Sequence, residues 1–110
     1  MQKIIISGVL GADATSKEVG ENVVVNFNVA VNEKRGKDEK EVTNWYACSL
    51  WRTKGKDGVS QYLKKGSGVI IDGTPDVDVW ADKETKEPKG QIKITVRDLD
   101  FMSGNKKETE

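Results

Sequence analysis

The chain has 110 residues, enough for one domain with a modest core, and its hydrophobic share of 35% barely exceeds its charged share of 33%. Eighteen Lys and Arg balance eighteen Asp and Glu, so net charge gives no general pull towards nucleic acid and any basic surface must be local. The absence of histidine and the single cysteine, Cys48, exclude His-dependent catalysis, His metal sites, an internal disulfide and Cys-based zinc or iron–sulfur ligation.

The opening MQKIIISGVLGADA carries one Lys and an apolar run too short for a membrane span and too abrupt for a signal peptide. A soluble, cytoplasmic protein is expected. Residues 4–10 read as a first strand, ending in the turn-forming run Gly11, Ala12 and Asp13, and residues 14–20 as a short strand or turn closing at Gly20. Val23, Val25, Phe27, Val29 and Val31 then occupy one parity, and Asn22, Asn26, Asn28 and Asn32 the other. Period two with β-branched residues marks a strand with one buried face. The charged run at 32–41, with Gly36, predicts an exposed hairpin loop. In the strand at 42–51, Tyr46, Cys48 and Leu50 face inward and Trp45, Ala47, Ser49 and Trp51 outward.

The spacing of Val59, Tyr62 and Leu63 predicts a helix over 56–66, with Asp57 capping its start, Lys64 and Lys65 in the last turn, and Gly66 just beyond. Residues 67–80 form a long strand with Val69 and Ile71 on one parity and Trp80 on the other; Pro75, with no N–H to donate, belongs at an edge or bulge. Residues 81–90 predict a second charged hairpin loop. The last strand, 91–102, turns Ile92, Ile94 and Val96 inward, but Leu99 and Phe101 fall on the opposite parity, which predicts a bulge near Arg97–Asp98. The expected domain is 1–102, followed by a disordered polar tail, 103–110. The order of elements fits an all-β OB-fold, a five-stranded Greek-key barrel with one short helix between its third and fourth strands; pattern alone leaves another five-stranded barrel open, and the single helix in that slot favours the OB-fold.

No phosphate-binding loop, dinucleotide fingerprint or catalytic constellation is found, so neither an enzyme nor a cofactor is expected. Asp76 and Asp78 share a strand face and read as solvated acids. The three tryptophans are the informative residues. They either pack inside or, as parity argues, stand outside: Tyr46, Cys48 and Leu50 already fill the inward set, and Trp80 shares parity with Asp76 and Asp78. Exposed aromatics stack on unpaired bases or anchor a protein interface. Cations lie near them in sequence. Lys34, Arg35 and Lys37 sit in the first loop, Arg52, Lys54 and Lys56 after Trp51, and Lys83, Lys86 and Lys89 in the second loop. The loops carry acids too, so simple solvation competes with phosphate contact.

The pieces IISGVLGAD, VVNFNVAVNE, TNWYACSLW and above all QYLKKGSGVIIDG, at 61–73, resemble the bacterial single-stranded DNA-binding proteins, and the likeness extends over residues 1–102. The resemblance implies an OB-fold that assembles as a homotetramer. It further implies capture of single-stranded DNA with little sequence preference, in replication, recombination and repair, in the nucleoid-containing cytoplasm. It puts the stacking positions at Trp45, Trp51 and Trp80, and phosphate contacts are expected from Arg52, Lys54, Lys34, Arg35 and Lys37. Three departures stand out. Arg35 lies in the first hairpin, where relatives often carry a further Trp; the strand before Trp80 reads PDVDV, where relatives are rich in Arg and Lys; and Tyr46 replaces a common His. The acidic, aromatic tail tip by which relatives recruit replication and repair proteins is not among these residues. The alternatives are an OB-fold protein-interaction module of the primosome-accessory type, which the acidic PDVDV favours, and an RNA-binding OB domain.

Overall fold

A computed structural model describes residues 1–37 and 40–102. Six strands are present: β1 (Ile4–Leu10), β2 (Thr15–Val19), β3 (Asn22–Arg35), β4 (Lys40–Thr53), β5 (Gly68–Ala81) and β6 (Pro88–Phe101). They form one sheet in the order β1-β5-β6-β4-β3-β2, and β1 also pairs with β3 through Val9–Ala30 and Leu10–Val29. Strand β1 therefore has neighbours on both sides. All pairings are antiparallel except β4 with β6, where Tyr46–Ser49 runs parallel to Ile92–Thr95.

The core follows from strand parity. Val23, Val25, Phe27 and Val29 of β3 meet Cys48 and Leu50 of β4, Val69 and Ile71 of β5, Ile94 and Val96 of β6, and Ile6 and Leu10 of β1. The inward parity of β6 changes where the alternation predicts a bulge. Asp72 pairs with Asp98 but Gly73 pairs with Val96, so Arg97 is the extra residue, and Leu99 and Phe101 regain the core side. Gly73 is required at that shift, because a Cβ there would collide with the Thr95 carbonyl and the Ile94 side chain. Strand β1 pairs with β5 only as far as Gly73, which leaves Pro75 on the stretch of β5 that has β6 alone as its partner. A residue without an N–H is tolerated there.

Three expectations are corrected. Six strands stand where five were expected, because residues 15–19 pair fully with β3 from Asn22 to Asn26. The expected helix over 56–66 is not an α-helix; that stretch holds one five-residue 3-10 turn, Gly58–Tyr62. Asp57 makes no side-chain capping bond, and Gly55 and Gly66 flank the turn with φ of +85° and +87°. Of the apolar stripe only Leu63 is fully buried, while Tyr62 is exposed and meets Phe101 edge-on at 6.5 Å. One buried anchor gives too little packing to sustain an α-helix, which in isolation needs about 12–15 residues. The segment is instead tied to the β1–β2 turn: the Ala14 N–H donates to the Leu63 carbonyl at 2.9 Å and the Lys65 N–H to Asp13 Oδ1 at 2.9 Å.

The charged runs are also more ordered than loops. Strands β3 and β4 stay in register out to Arg35–Lys40, and β5 and β6 out to Ala81–Pro88. Charged side chains are solvated on both faces of such a ribbon while its backbone groups pair. The second turn is held by Asp82, which accepts from the Thr85 and Glu84 N–H groups; these bonds lower its pKa. Residues 38 and 39 of the first loop, and the tail 103–110 expected to be disordered, lie outside the described residues.

Cys48 lies in the core, and desolvation pushes its thiol up to about 12. An unfolded thiol titrates near about 8.5. The stability that the protonated thiol contributes is therefore complete below that pH and is lost as pH rises towards 12. Urea midpoints at pH 8 and pH 10.5 should fall further in the native sequence than in Cys48→Ala; an equal fall would show that the thiol is not held protonated.

Candidate nucleic-acid interface

The side of the sheet away from the core is built by register. Across β3 and β4, Val24 stands opposite Trp51, Asn26 opposite Ser49, Asn28 opposite Ala47 and Ala30 opposite Trp45. Ala47 continues to Lys93 and Ser49 to Thr95 on β6. Strand β5 adds Asp76 beside Lys93, Asp78 beside Gln91 and Trp80 beside Lys89. One face thus carries three tryptophans set among asparagines, small residues and a few charges. Ser49 Oγ donates to Asn26 Oδ1 at 2.9 Å, and Thr43 Oγ1 donates to Asn32 Oδ1 further along the ribbon.

Trp45, Trp51 and Trp80 are 54%, 46% and 45% exposed. Each ring is thus partly covered by the protein and partly open to solvent. For Trp45 part of the support is visible, since a methyl added at Gly11 would lie 2.6 Å from ring atoms Cη2 and Cζ3. Trp45 and Trp80 line one concavity of about 680 Å³ together with Asn28, Thr43, Ala47 and Gln91. Trp51 stands apart, lining a second concavity with Asn22, Arg52, Thr53 and Lys56. Six residues of strand separate Trp45 from Trp51, roughly 20 Å.

The structure does not bring the expected cations into one patch. Arg52 is half-buried beside Trp51, and its Nη1 donates to the Trp51 carbonyl at 3.2 Å. Lys54 Nζ lies 3.5 Å from Glu18 Oε1, so this charge is already paired. Lys34 is exposed opposite Glu41, Lys37 is exposed just beyond Gly36, and Arg35 ends β3 opposite Lys40. These three stand at the far tip of the β3–β4 ribbon, at the other end of β4 from Arg52 and Lys54. The residues that sequence reasoning passed over are those between: Asn26, Asn28, Gln91, Thr43 and Lys93. For Gln91 and Lys93 the signal was the parity of β6, where Ile92, Ile94 and Val96 inward require Gln91, Lys93 and Thr95 outward. Among the described residues no group of His, Cys, Asp and Glu could hold a metal ion, and no helix is long and apolar enough to cross a membrane.

Residues 1–102 match the model of the Single-strand binding protein family. The chain belongs to this family. Its members are DNA-binding proteins and not enzymes. It is 33% identical to Single-stranded DNA-binding protein 1 of Synechocystis over 89 residues, covering 81% of this chain and 72% of that one. It is 34% identical to Single-stranded DNA-binding protein 1 of Chlorobaculum tepidum over 107 residues, spanning 93% of this chain and 65% of the relative. Among solved structures, the Plasmodium falciparum SSB complex with ssDNA superposes with a TM-score of 0.71 at 24% identity, covering 94% of this chain and 96% of that one. The small single-stranded DNA-binding protein of Streptomyces coelicolor gives 0.74 at 15% identity, covering 93% and 94%. At such identities these two structures speak for the fold, an all-β architecture with OB-fold neighbours.

Gly11 leaves the room that the Trp45 ring occupies, so Gly11→Val should displace the ring while the buried core stays intact. The expected result is a changed tryptophan emission spectrum and altered acrylamide quenching with an unchanged far-UV spectrum. An emission spectrum identical to that of the native sequence would contradict this role.

Proposed function

We propose that this chain binds single-stranded DNA without sequence preference, stacking bases on Trp45, Trp80 and Trp51. The observation that carries this reading is the standing of all three tryptophans half out of the sheet on its outward parity. Every base has a π-face, so aromatic platforms bind any sequence, each contact contributing about 1–3 kcal/mol in OB-folds that hold single strands. Membership of the single-strand binding family supports the same reading, as does likeness to a relative solved with single-stranded DNA. Phosphates meet Arg52, Lys54, Lys34, Arg35 and Lys37 along the two ends of β4. Such a path spans the face from one cation group to the other and needs no cofactor.

In this reading residues 1–102 are the binding domain, with the sheet closed through β1 and β3 into a Greek-key barrel. The protein works in replication, recombination and repair, in the nucleoid-containing cytoplasm, as a homotetramer. Ile5, Val9 and Ile70, exposed on the paired strands β1 and β5, support self-association. A protein-interaction role has one specific observation in its favour, the carboxylates of Asp76 and Asp78 on the same face, which repel phosphate.

Trp45→Ala and Trp80→Ala should each weaken binding of a labelled oligo-dT by about 1–3 kcal/mol, read by fluorescence anisotropy, with the far-UV spectrum unchanged. Undiminished affinity in both variants would remove the stacking role, and unfolding of either would make that residue part of the core.

A further inference from the structure

We infer that Lys93 is a phosphate-contacting residue at the centre of the face, and that Asp78 holds its ammonium group until a strand arrives. This rests on the single-strand-binding reading above. Binding then begins with an exchange of anions, a phosphate taking the place of a carboxylate on one lysine.

Position comes first. Lys93 lies on β6 with Ala47 of β4 on one side and Asp76 of β5 on the other. Its side chain lines a concavity of about 460 Å³ with Asn26, Asn28, Ala47 and Ser49. Asn28 and Ala47 also line the concavity that holds Trp45 and Trp80, so the two depressions adjoin. A strand running from the Trp45–Trp80 concavity towards Trp51 passes this point. Ala47 is small, which leaves Lys93 open to the strand. The expected cations stand at the two ends of β4, whereas Lys93 stands in between.

Charge comes second. Lys93 Nζ lies 3.2 Å from Asp78 Oδ2, and the two side chains are 51% and 50% exposed. Asp76 is the register neighbour of Lys93, and Asp13 lines the same concavity while accepting the Lys65 N–H. One lysine among three carboxylates gives the free face a slightly acidic centre. An ion pair this exposed contributes about 0–1 kcal/mol, so a phosphate can displace Asp78 at small cost. The displaced carboxylate takes up a cation from solution, which offsets part of the counterion release that normally drives binding. Asp78 therefore lowers both the affinity and its sensitivity to salt.

The test is oligo-dT affinity at several salt concentrations for the native protein, Asp78→Asn, Lys93→Gln and the double variant. Asp78→Asn should bind about three- to fivefold more tightly at low salt, with a slope steeper by a fraction of the roughly 0.7 that one neutralised phosphate contributes. Lys93→Gln should bind several-fold more weakly with a flatter slope, and Asp78→Asn should bring little gain in its background. If Lys93→Gln matches the native protein in affinity and slope, Lys93 touches no phosphate and the inference fails. If the Asp78→Asn gain persists undiminished without Lys93, the carboxylate acts by general repulsion and the exchange is wrong. Failure of the native protein itself to bind oligo-dT at low salt would overturn the binding reading as well, which separates the two failures.

Discussion

Successive side chains of a strand point to opposite sides of the sheet, so a core that takes in Cys48 and Leu50 of β4 cannot also take in Trp45 and Trp51. The same rule holds on β5, where Val69 and Ile71 are buried and Trp80, on the opposite parity, stands outside. Large apolar rings are thereby held half in water at a cost that folding alone does not explain, since burying each would be favourable. The register neighbours of Trp51 and Trp45, Val24 and Ala30, are buried members of the outward parity, so these two rings stand over an apolar or small floor, while Trp80 stands beside Lys89. Rings fixed in this way lose little freedom when a base lands on them. That fixity suits stacking, in which affinity comes from preformed flat surfaces.

Electrostatics is local on this molecule. With equal numbers of acidic and basic residues, no overall field draws a polyanion in. Several cations are already engaged within the chain: Lys3 with Asp72, Lys54 with Glu18 and Lys93 with Asp78. These pairs are partly or largely exposed and weak, so they yield to a stronger anion without harm to the fold. Binding on such a face depends more on stacking and less on charge than it would on a basic groove.

Much of this arrangement was legible in the residues. The Val/Asn alternation of β3, the inward set Tyr46–Cys48–Leu50, the bulge at Arg97 and the edge position of Pro75 all follow from period two and from the missing proline N–H. These are constraints between near neighbours. The helix was misread because Val59, Tyr62 and Leu63 fit a helical stripe equally well when only Leu63 is needed inside, and three flanking or internal glycines favour a short turn. The charged runs were misread as loops because composition reports solvation and says nothing about whether backbone groups pair. Lys93 was missed for another reason. Its importance comes from lying between β4 and β5, and the parallel pairing of β4 with β6 is set by topology over forty-odd residues of chain, which local pattern does not reveal.

The most direct test of the account is intrinsic tryptophan fluorescence of the folded protein during titration with oligo-dT, repeated across salt concentrations. Bases stacked on the three exposed rings should quench the emission strongly. Affinity should fall as salt rises, with a slope of roughly 0.7 per phosphate neutralised on a single strand. Emission unchanged at low salt, with the protein shown to be folded, would contradict the account and assign the aromatic face to a protein partner instead.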